Sequence, residues 1–169
     1  MKTNRYLIYV LLCITFAASS GCFWSSDSDV VLQLENQNGE SLSLSAMDLT
    51  GLPRIAVDAT DKSGVTSRYT GVELTNVLRL AKAPSGDALR GKSVSDYVIV
   101  EGADGYQASF TLAELDPDFS DLTVILADER NGQPLSGEEG KLRLVVPSET
   151  KRQARWVRQV VKMQIRSVE

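Results

Sequence analysis

Histidine is absent from all 169 residues, and cysteine occurs only at Cys13 and Cys22. Without histidine, the chain lacks the commonest general base and the commonest transition-metal ligand. Beyond Cys22 it also lacks a thiol, so the rest of the chain can form neither a disulfide nor a thiolate–metal bond. These absences exclude a Ser-His-Asp triad, a Cys-His dyad and a conventional zinc site.

Positive charge is also scarce. The chain has 18 lysines and arginines against 22 aspartates and glutamates, which gives a formal charge of −4. Lys2 and Arg5 are the charged residues of the first 21 positions, and without them the formal charge falls to −6. A nucleic-acid-binding domain needs a basic footprint, so nucleic acid is not an expected partner.

The N-terminus has the pattern of an export signal. A short basic head, MKTNR, precedes the 13-residue apolar run YLIYVLLCITFAA. Thirteen helical residues reach only about 20 Å, short of the roughly 30 Å of a bilayer core. The pattern therefore predicts a signal peptide over residues 1–21 rather than a lasting membrane span.

The sequence Ser19-Ser20-Gly21-Cys22 resembles the cleavage box of a bacterial lipoprotein, with Ser19 in place of the usual leucine. This resemblance implies that Cys22 is lipidated. The serine- and aspartate-rich composition of FWSSDSDV predicts a polar tether over residues 22–29, and the strand pattern that begins near Val30 predicts one folded domain over residues 30–169. An ordinary signal peptide or an uncleaved anchor are the alternatives. The expected location is the cell envelope, on a membrane surface; because Phe23 rather than aspartate follows the cysteine, a two-membrane bacterium would carry it on the outer membrane, facing the periplasm.

Residues 30–169 show short apolar alternations separated by turn signals and by short helical patterns. Ser45 with Asp48 is spaced as a capping box at the start of one helix. RQARWVRQVVK places Trp156, Val157, Val160 and Val161 on one stripe, which predicts a helix before a closing strand in MQIRSVE. The mixture of short strands and short helices predicts a compact α+β domain.

Five segments carry a family resemblance: SLSAMDLTGLP, RYTGVELTNVLRLA, VIVEGADGYQASFTLAEL, VILADERNGQPLSGEEGKLRLVVP and ARWVRQV. In this order they resemble the molybdopterin-binding domain of the sulfite oxidase-like oxidoreductases, from about Leu42 to Ile165. The resemblance implies that fold, with mixed sheets and short helices. It also implies an oxidoreductase family whose catalytic members hold molybdenum through a cysteine.

That cysteine has no counterpart. In catalytic members it precedes the segment that matches RYTGVEL, and here this neighbourhood reads AVDATDKSGVTS. A family histidine that helps to bind pterin or substrate is also missing. Without a thiolate the metal loses a soft, charged ligand. We therefore expect no catalytic residue, no metal ligand and no resident cofactor, although the family implies molybdopterin as a candidate.

Six cations fall within eighteen residues near the C-terminus: Lys141, Arg143, Lys151, Arg152, Arg155 and Arg158. Because arginine forks suit phosphates and carboxylates, Arg143, Lys151, Arg152 and Arg155 are candidates for binding an anion or a cofactor. Tyr106 is a further candidate, and it follows the aspartate-glycine pair Asp104-Gly105, which predicts a hairpin turn. The alternatives are a solvated basic face near anionic lipid headgroups and a docking surface for an acidic partner. The acidic residues Asp58, Asp61, Asp128 and Glu129 lack the spacing of a calcium loop.

Three functions remain open. The first, which we favour, is a lipid-anchored, non-catalytic binding or accessory module. The second is a molybdopterin-dependent oxidoreductase, or a subunit of one, that holds the cofactor without cysteine. The third is a structural envelope protein whose basic helix docks to a membrane or to a protein partner.

Overall fold

The computed structural model describes residues 30–168. The predicted signal peptide, the predicted lipidation site Cys22 and the predicted tether lie outside these residues. The described strands are β1 (Val30–Glu35), β2 (Ser41–Ser45), β3 (Arg54–Thr60), β4 (Thr66–Glu73), β5 (Tyr97–Gly102), β6 (Gln107–Thr111), β7 (Ile125–Arg130), β8 (Gln133–Pro134), β9 (Arg143–Val145) and β10 (Val160–Arg166). The described α-helices are α1 (Ala46–Thr50), α2 (Leu74–Leu80) and α3 (Leu112–Leu115), with 3₁₀ turns at Gly86–Ala88, Gly91–Ser95 and Gly137–Glu139. None of these helices is long and apolar enough to cross a membrane.

The first sheet joins the two ends of the described chain. Its strand order is β2-β1-β10-β5-β6, and β1 runs parallel to β10 with Leu34 opposite Met163. The other pairs in this sheet are antiparallel hairpins or crossovers. The last strand of the domain is therefore central, and the first strand lies beside it.

The second sheet is antiparallel and has the order β3-β4-β7-β8, with β9 also paired to β7. Strands β4 and β7 approach closely at Gly71, where a register shift interrupts the ladder. A Cβ atom added to Gly71 would lie 2.2 Å from the carbonyl oxygen of Leu126. Only glycine fits this crossing without a backbone shift.

One hydrophobic core connects the two sheets with α2. It includes Leu34 and Met163 of the first sheet, Tyr69 and Ile125 of the second, and Val77 of α2, all of which are buried. Helix α1 begins at the predicted capping box, because the Ser45 hydroxyl accepts from the backbone N–H of Asp48 while the Asp48 carboxylate accepts from the backbone N–H of Ser45. The arrangement confirms the predicted α+β class, with mixed sheets and few short helices.

The helix predicted over RQARWVRQVVK is wrong. Residues 151–159 form an irregular segment, and β10 already begins at Val160. Gln153 and Gln159 have positive φ angles of 51° and 49°, values that no right-handed helix contains. The basic docking helix of the third functional hypothesis is therefore absent from this part of the described chain.

Candidate functional site

A polar cleft of about 530 Å³ lies where four loops meet. The β3–β4 turn contributes Asp61, Lys62 and Ser63, and the β5–β6 turn contributes Asp104 and Tyr106. The remaining lining comes from the end of β7, from the start of β9 and from the segments before and after β9: Arg130, Ser136, Glu138, Glu139, Arg143, Arg152, Gln153, Trp156 and Arg158. The cleft therefore depends on the packing of both sheets.

Arg143 forms the base of the cleft and is only 5% exposed. Its guanidinium carbon lies 5.6 Å from the ring centre of Tyr69 and 5.1 Å from that of Trp156, and the two rings meet edge to face. Its Nη1 atom pairs with the carboxylate of Glu139. Its Nε atom is buried without a hydrogen-bond partner among the described residues. Such packing makes Arg143 part of the core as much as part of the cleft.

Arg130, the second cation of the inner wall of the cleft, is also paired with carboxylates. Its guanidinium lies 3.6 Å from Glu139 and 3.9 Å from Asp61, and its guanidinium carbon lies 5.6 Å from the ring centre of Tyr69. Hydrogen bonds from the backbone N–H groups of Val65 and Ser63, with the nearby guanidiniums, hold the pKa of Asp61 below its usual value. Burial raises the pKa of the Tyr69 hydroxyl, an effect that the two guanidiniums oppose. The positive charges of Arg130 and Arg143 on the inner wall are thus neutralised by the carboxylates of Asp61 and Glu139.

The rim differs from the wall. Lys62 and Arg152 are exposed, and neither has a carboxylate within ion-pair distance among residues 30–168. Arg158 lies 3.3 Å from Glu138, a carboxylate whose side chain is 91% exposed and therefore holds it only weakly. Lys62 and Arg152 are consequently the cleft cations most available to a bound anion.

Side-chain to backbone hydrogen bonds hold these loops together. The Gln153 amide donates to the carbonyl oxygen of Thr60, and this hydrogen bond joins the irregular segment 151–159 to the end of β3. The Tyr106 hydroxyl donates to the carbonyl oxygen of Ala154 at 2.5 Å, and the Trp156 indole N–H donates to that of Val146 at 2.9 Å. The rim cation Arg152 is thereby held on a segment that is anchored at three points.

The structure brings together three of the five predicted binding residues: Arg143, Arg152 and Tyr106. Arg155 points elsewhere, where it pairs with Glu149 and Glu114 and lies 4.4 Å above the ring centre of Phe110. Lys151 lies beside the cleft without lining it. Lys62 and Arg130 line the cleft but are not among the predicted binding residues, and Asp61 is considered above only as a possible calcium ligand. Their distance along the chain from Arg152 gives no local signal for this grouping.

The chain is similar to one protein family and to a solved structure. The family described as the oxidoreductase molybdopterin binding domain matches residues 26–168. This chain belongs to that family. The crystal structure of the sulfane dehydrogenase SoxCD from Paracoccus pantotrophus is similar, with a TM-score of 0.59 and 25% identity over 82% of this chain and 39% of that one. This chain thus spans well under half of that relative. No curated protein matches it.

The match confirms the sulfite oxidase-like molybdopterin-binding fold that the five segments predict. The sequence resemblance leads us to expect the family's metal-ligating cysteine in the neighbourhood AVDATDKSGVTS, which lies in the β3–β4 hairpin. The turn of this hairpin, Asp61 to Ser63, lines the cleft.

The donor set does not fit a molybdenum centre of that kind. The turn offers a carboxylate, an ammonium and a hydroxyl, and none of these is the soft ligand that a thiolate provides. Among the described residues no group of three or more histidine, cysteine, aspartate or glutamate side chains could hold a metal ion. The Asp61 carboxylate is moreover engaged by backbone N–H groups and Arg130.

Proposed function

We propose that this protein is a lipid-anchored cell-envelope module that binds a small anionic ligand in the cleft and performs no chemistry of its own. The observation that carries the proposal is the contrast within the cleft. Its inner cations are neutralised by carboxylates, whereas its rim cations Lys62 and Arg152 have no carboxylate partner among residues 30–168, and the β3–β4 turn presents no soft ligand.

The ligand class follows from the rim. Lys62 and Arg152 come from two different loops that face one cleft, so one phosphate or carboxylate group could be held from two sides. Hydroxyl groups of Ser63 and Ser136 line the same space and can donate to such an anion. The volume lies within the range of ligand pockets, which is about 300 to 1,000 Å³. A phosphate ester of moderate size is the ligand that suits these features.

The anchor follows from the N-terminal sequence. Acyl chains at Cys22 would hold the domain at a membrane surface through the polar tether, since several buried chains bind far more stably than one. The measurement is the mass of the N-terminal peptide from protein extracted from membranes. A diacylated Cys22 supports the anchor, whereas an unmodified Cys22 or a retained signal contradicts it.

Cofactor content separates the proposal from its main alternative, a molybdopterin-dependent oxidoreductase. The full chain would be produced in a host that makes molybdenum cofactor, purified in detergent, and analysed by elemental mass spectrometry and pterin fluorescence. We expect molybdenum far below one equivalent per chain. Near-stoichiometric molybdenum would overturn the non-catalytic assignment, and pterin without metal would identify the anionic ligand as the organic part of the cofactor.

Anion binding is tested directly with inorganic pyrophosphate as the probe, by titration calorimetry on the full chain. Replacing both Lys62 and Arg152 by serine should weaken binding at least about tenfold, because each charge-assisted hydrogen bond contributes about 1.5 to 3 kcal/mol. Lys151→Ser is the matched control, since it removes a neighbouring cation that does not line the cleft. Equal affinities for the wild type and the double variant would refute the rim as the binding site.

A further inference from the structure

A second concavity lies away from the cleft, at the point where the described chain begins. It is an apolar groove of about 240 Å³, and its aliphatic lining comes from Val31, Ala46, Leu49, Pro134, Leu135 and Leu142. Ala46 and Pro134 are exposed and Val31 is half-buried, so part of this apolar surface faces solvent. The neighbouring Met47 of α1 is 81% exposed. An apolar groove that is open to solvent can bury an apolar side chain from another segment.

We propose that this groove receives the aromatic pair Phe23–Trp24 of the same chain. Between Cys22 and Val30 these are the apolar residues, and the five that follow them, SSDSD, are polar. From Trp24 to Val30 there are six Cα steps, which span up to about 20 Å when extended. Because Val31 itself lines the groove, this length is sufficient for the chain to turn back and place an aromatic side chain in it.

Charge supports the same occupant. Of the charged residues that line the groove, Asp128 forms a two-point pair with Arg54, at 2.6 and 2.8 Å, and Glu129 lies 3.5 Å from the same guanidinium. Lys141 is exposed and has no carboxylate within ion-pair distance among residues 30–168. The spacer carries Asp27 and Asp29. A tether folded over the groove would therefore bring acidic side chains to an unpaired lysine.

Docking of the aromatic pair would fix the position of Cys22 relative to the domain. The groove and the cleft lie beside the same β7–β8 region, since Asp128, Glu129 and Pro134 line the groove while Arg130 and Ser136 line the cleft. With the aromatic pair in the groove, Cys22 would be held close to this region instead of at the end of a free linker. The inference requires neither a ligand in the cleft nor acylation of Cys22.

Disulfide trapping tests it, because residues 30–168 contain no native cysteine. The full chain would carry Ser25→Cys with Ala46→Cys, which places one thiol beside the aromatic pair and one at the groove. A flexible tether alone gives an effective concentration in the millimolar range, so the comparison must be with a matched background in which Phe23 and Trp24 are both serine. We expect disulfide formation at least about tenfold slower in that background.

A second pair gives the spatial control. Ser25→Cys with Ser109→Cys places the partner thiol at an exposed position of β6. This strand lies at the opposite edge of the first sheet from β2, which precedes α1. This pair should form a disulfide more slowly than the Ala46 pair, in membranes and in detergent alike. Peptide mass analysis separates the introduced bridge from any bridge to Cys22. Equal rates with and without the aromatic residues, or equal rates at Ala46 and Ser109, would overturn the proposal. The first of these results would follow if Phe23 and Trp24 lie in the bilayer instead.

Discussion

Arg143 and Arg152 line the same cleft but differ in their surroundings. Arg143 is enclosed by Tyr69, Trp156 and Glu139, whereas Arg152 is exposed and unpaired among the described residues. A desolvated guanidinium needs its carboxylate and its aromatic neighbours, and the group then contributes to the fold. An exposed guanidinium keeps its charge available for a ligand. Residue type alone therefore does not separate a structural arginine from a binding one.

Substitution separates the two roles. Arg143→Met should lower the free energy of unfolding by about 2 to 4 kcal/mol, because it leaves the Glu139 carboxylate without its closest partner and removes the group between two aromatic rings. Arg152→Met should change it by less than about 0.5 kcal/mol, as is usual for exposed positions. Urea unfolding followed by tryptophan fluorescence measures both. Similar losses for the two variants would contradict the assignment of Arg143 to the core.

Asp61 gives a prediction of pH dependence. Backbone N–H donors and nearby guanidiniums lower its folded-state pKa below the ordinary value of 3.8. The stabilisation is therefore fully present above that value and is lost as the pH falls through the lower, folded-state pKa. The difference in urea midpoint between wild type and Asp61→Asn should thus be largest at neutral pH and should shrink as the pH is lowered below 3.8. A difference that is independent of pH would exclude the carboxylate charge as its source.

Among the secondary-structure elements, those with local signals were predicted well from the sequence. The capping box of Ser45 and Asp48 starts α1, and the aspartate-glycine turn at Asp104 and Gly105 joins β5 to β6 as predicted. These features depend on residues within four positions of one another. Tertiary packing cannot easily override them, because the backbone donors they satisfy are local.

The predicted C-terminal helix failed for a physical reason. Trp156 and Val157 are buried and belong to an irregular segment. Val160 is also buried, but it belongs to β10, which has a register shift between Val160 and Lys162. Loop and bulged strand together reproduce the apolar spacing of a helix. The backbone N–H of Val160 bonds to Leu142, so long-range pairing decides the outcome.

The cleft was only partly predictable for the same reason. Arg143, Arg152 and Tyr106 were candidates because cations and an aromatic turn residue are visible in the sequence. Lys62 and Arg130 join them only because β3, β4 and β7 are neighbours in one sheet. A single sequence does not contain the sheet order that places these loops side by side.

The β4–β7 crossing predicts a sharp difference between two glycines. Gly71→Ala would place a methyl group 2.2 Å from the carbonyl oxygen of Leu126, so the two strands must separate. We expect a loss of about 2 to 4 kcal/mol in the free energy of unfolding, at or above the usual range for overpacking. Gly51→Ala is the control, since its φ of −72° suits alanine and its nearest contact is an ordinary 3.5 Å. Chemical unfolding of the two variants should show a near-neutral change for Gly51→Ala; an equal effect at both sites would contradict a close crossing at Gly71.

Considered as a whole, the molecule closes on itself through its first and last strands. Strand β10 lies between β1 and β5 in the first sheet, and its pairing with β1 joins residues about 130 positions apart, for example Gln33 with Lys162. Closing so long a loop costs conformational entropy, which slows folding. Domains dominated by these contacts fold in milliseconds to seconds rather than microseconds.

The central position of β10 makes the C-terminus decisive for folding. A chain that ends after Gln159 loses the whole of β10, including the buried side chains of Val160, Met163 and Ile165, and separates β1 and β2 from β5 and β6. Each of these apolar side chains contributes about 1.5 to 3 kcal/mol on burial, so their combined loss approaches the whole stability of a typical domain. We expect this chain to show no cooperative thermal transition, whereas a chain that ends after Arg166 keeps every strand and should melt close to the wild type. Calorimetry and near-ultraviolet circular dichroism measure the difference. A cooperative transition in the shorter chain would mean that the second sheet and α2 form an independent unit, which the single shared core argues against.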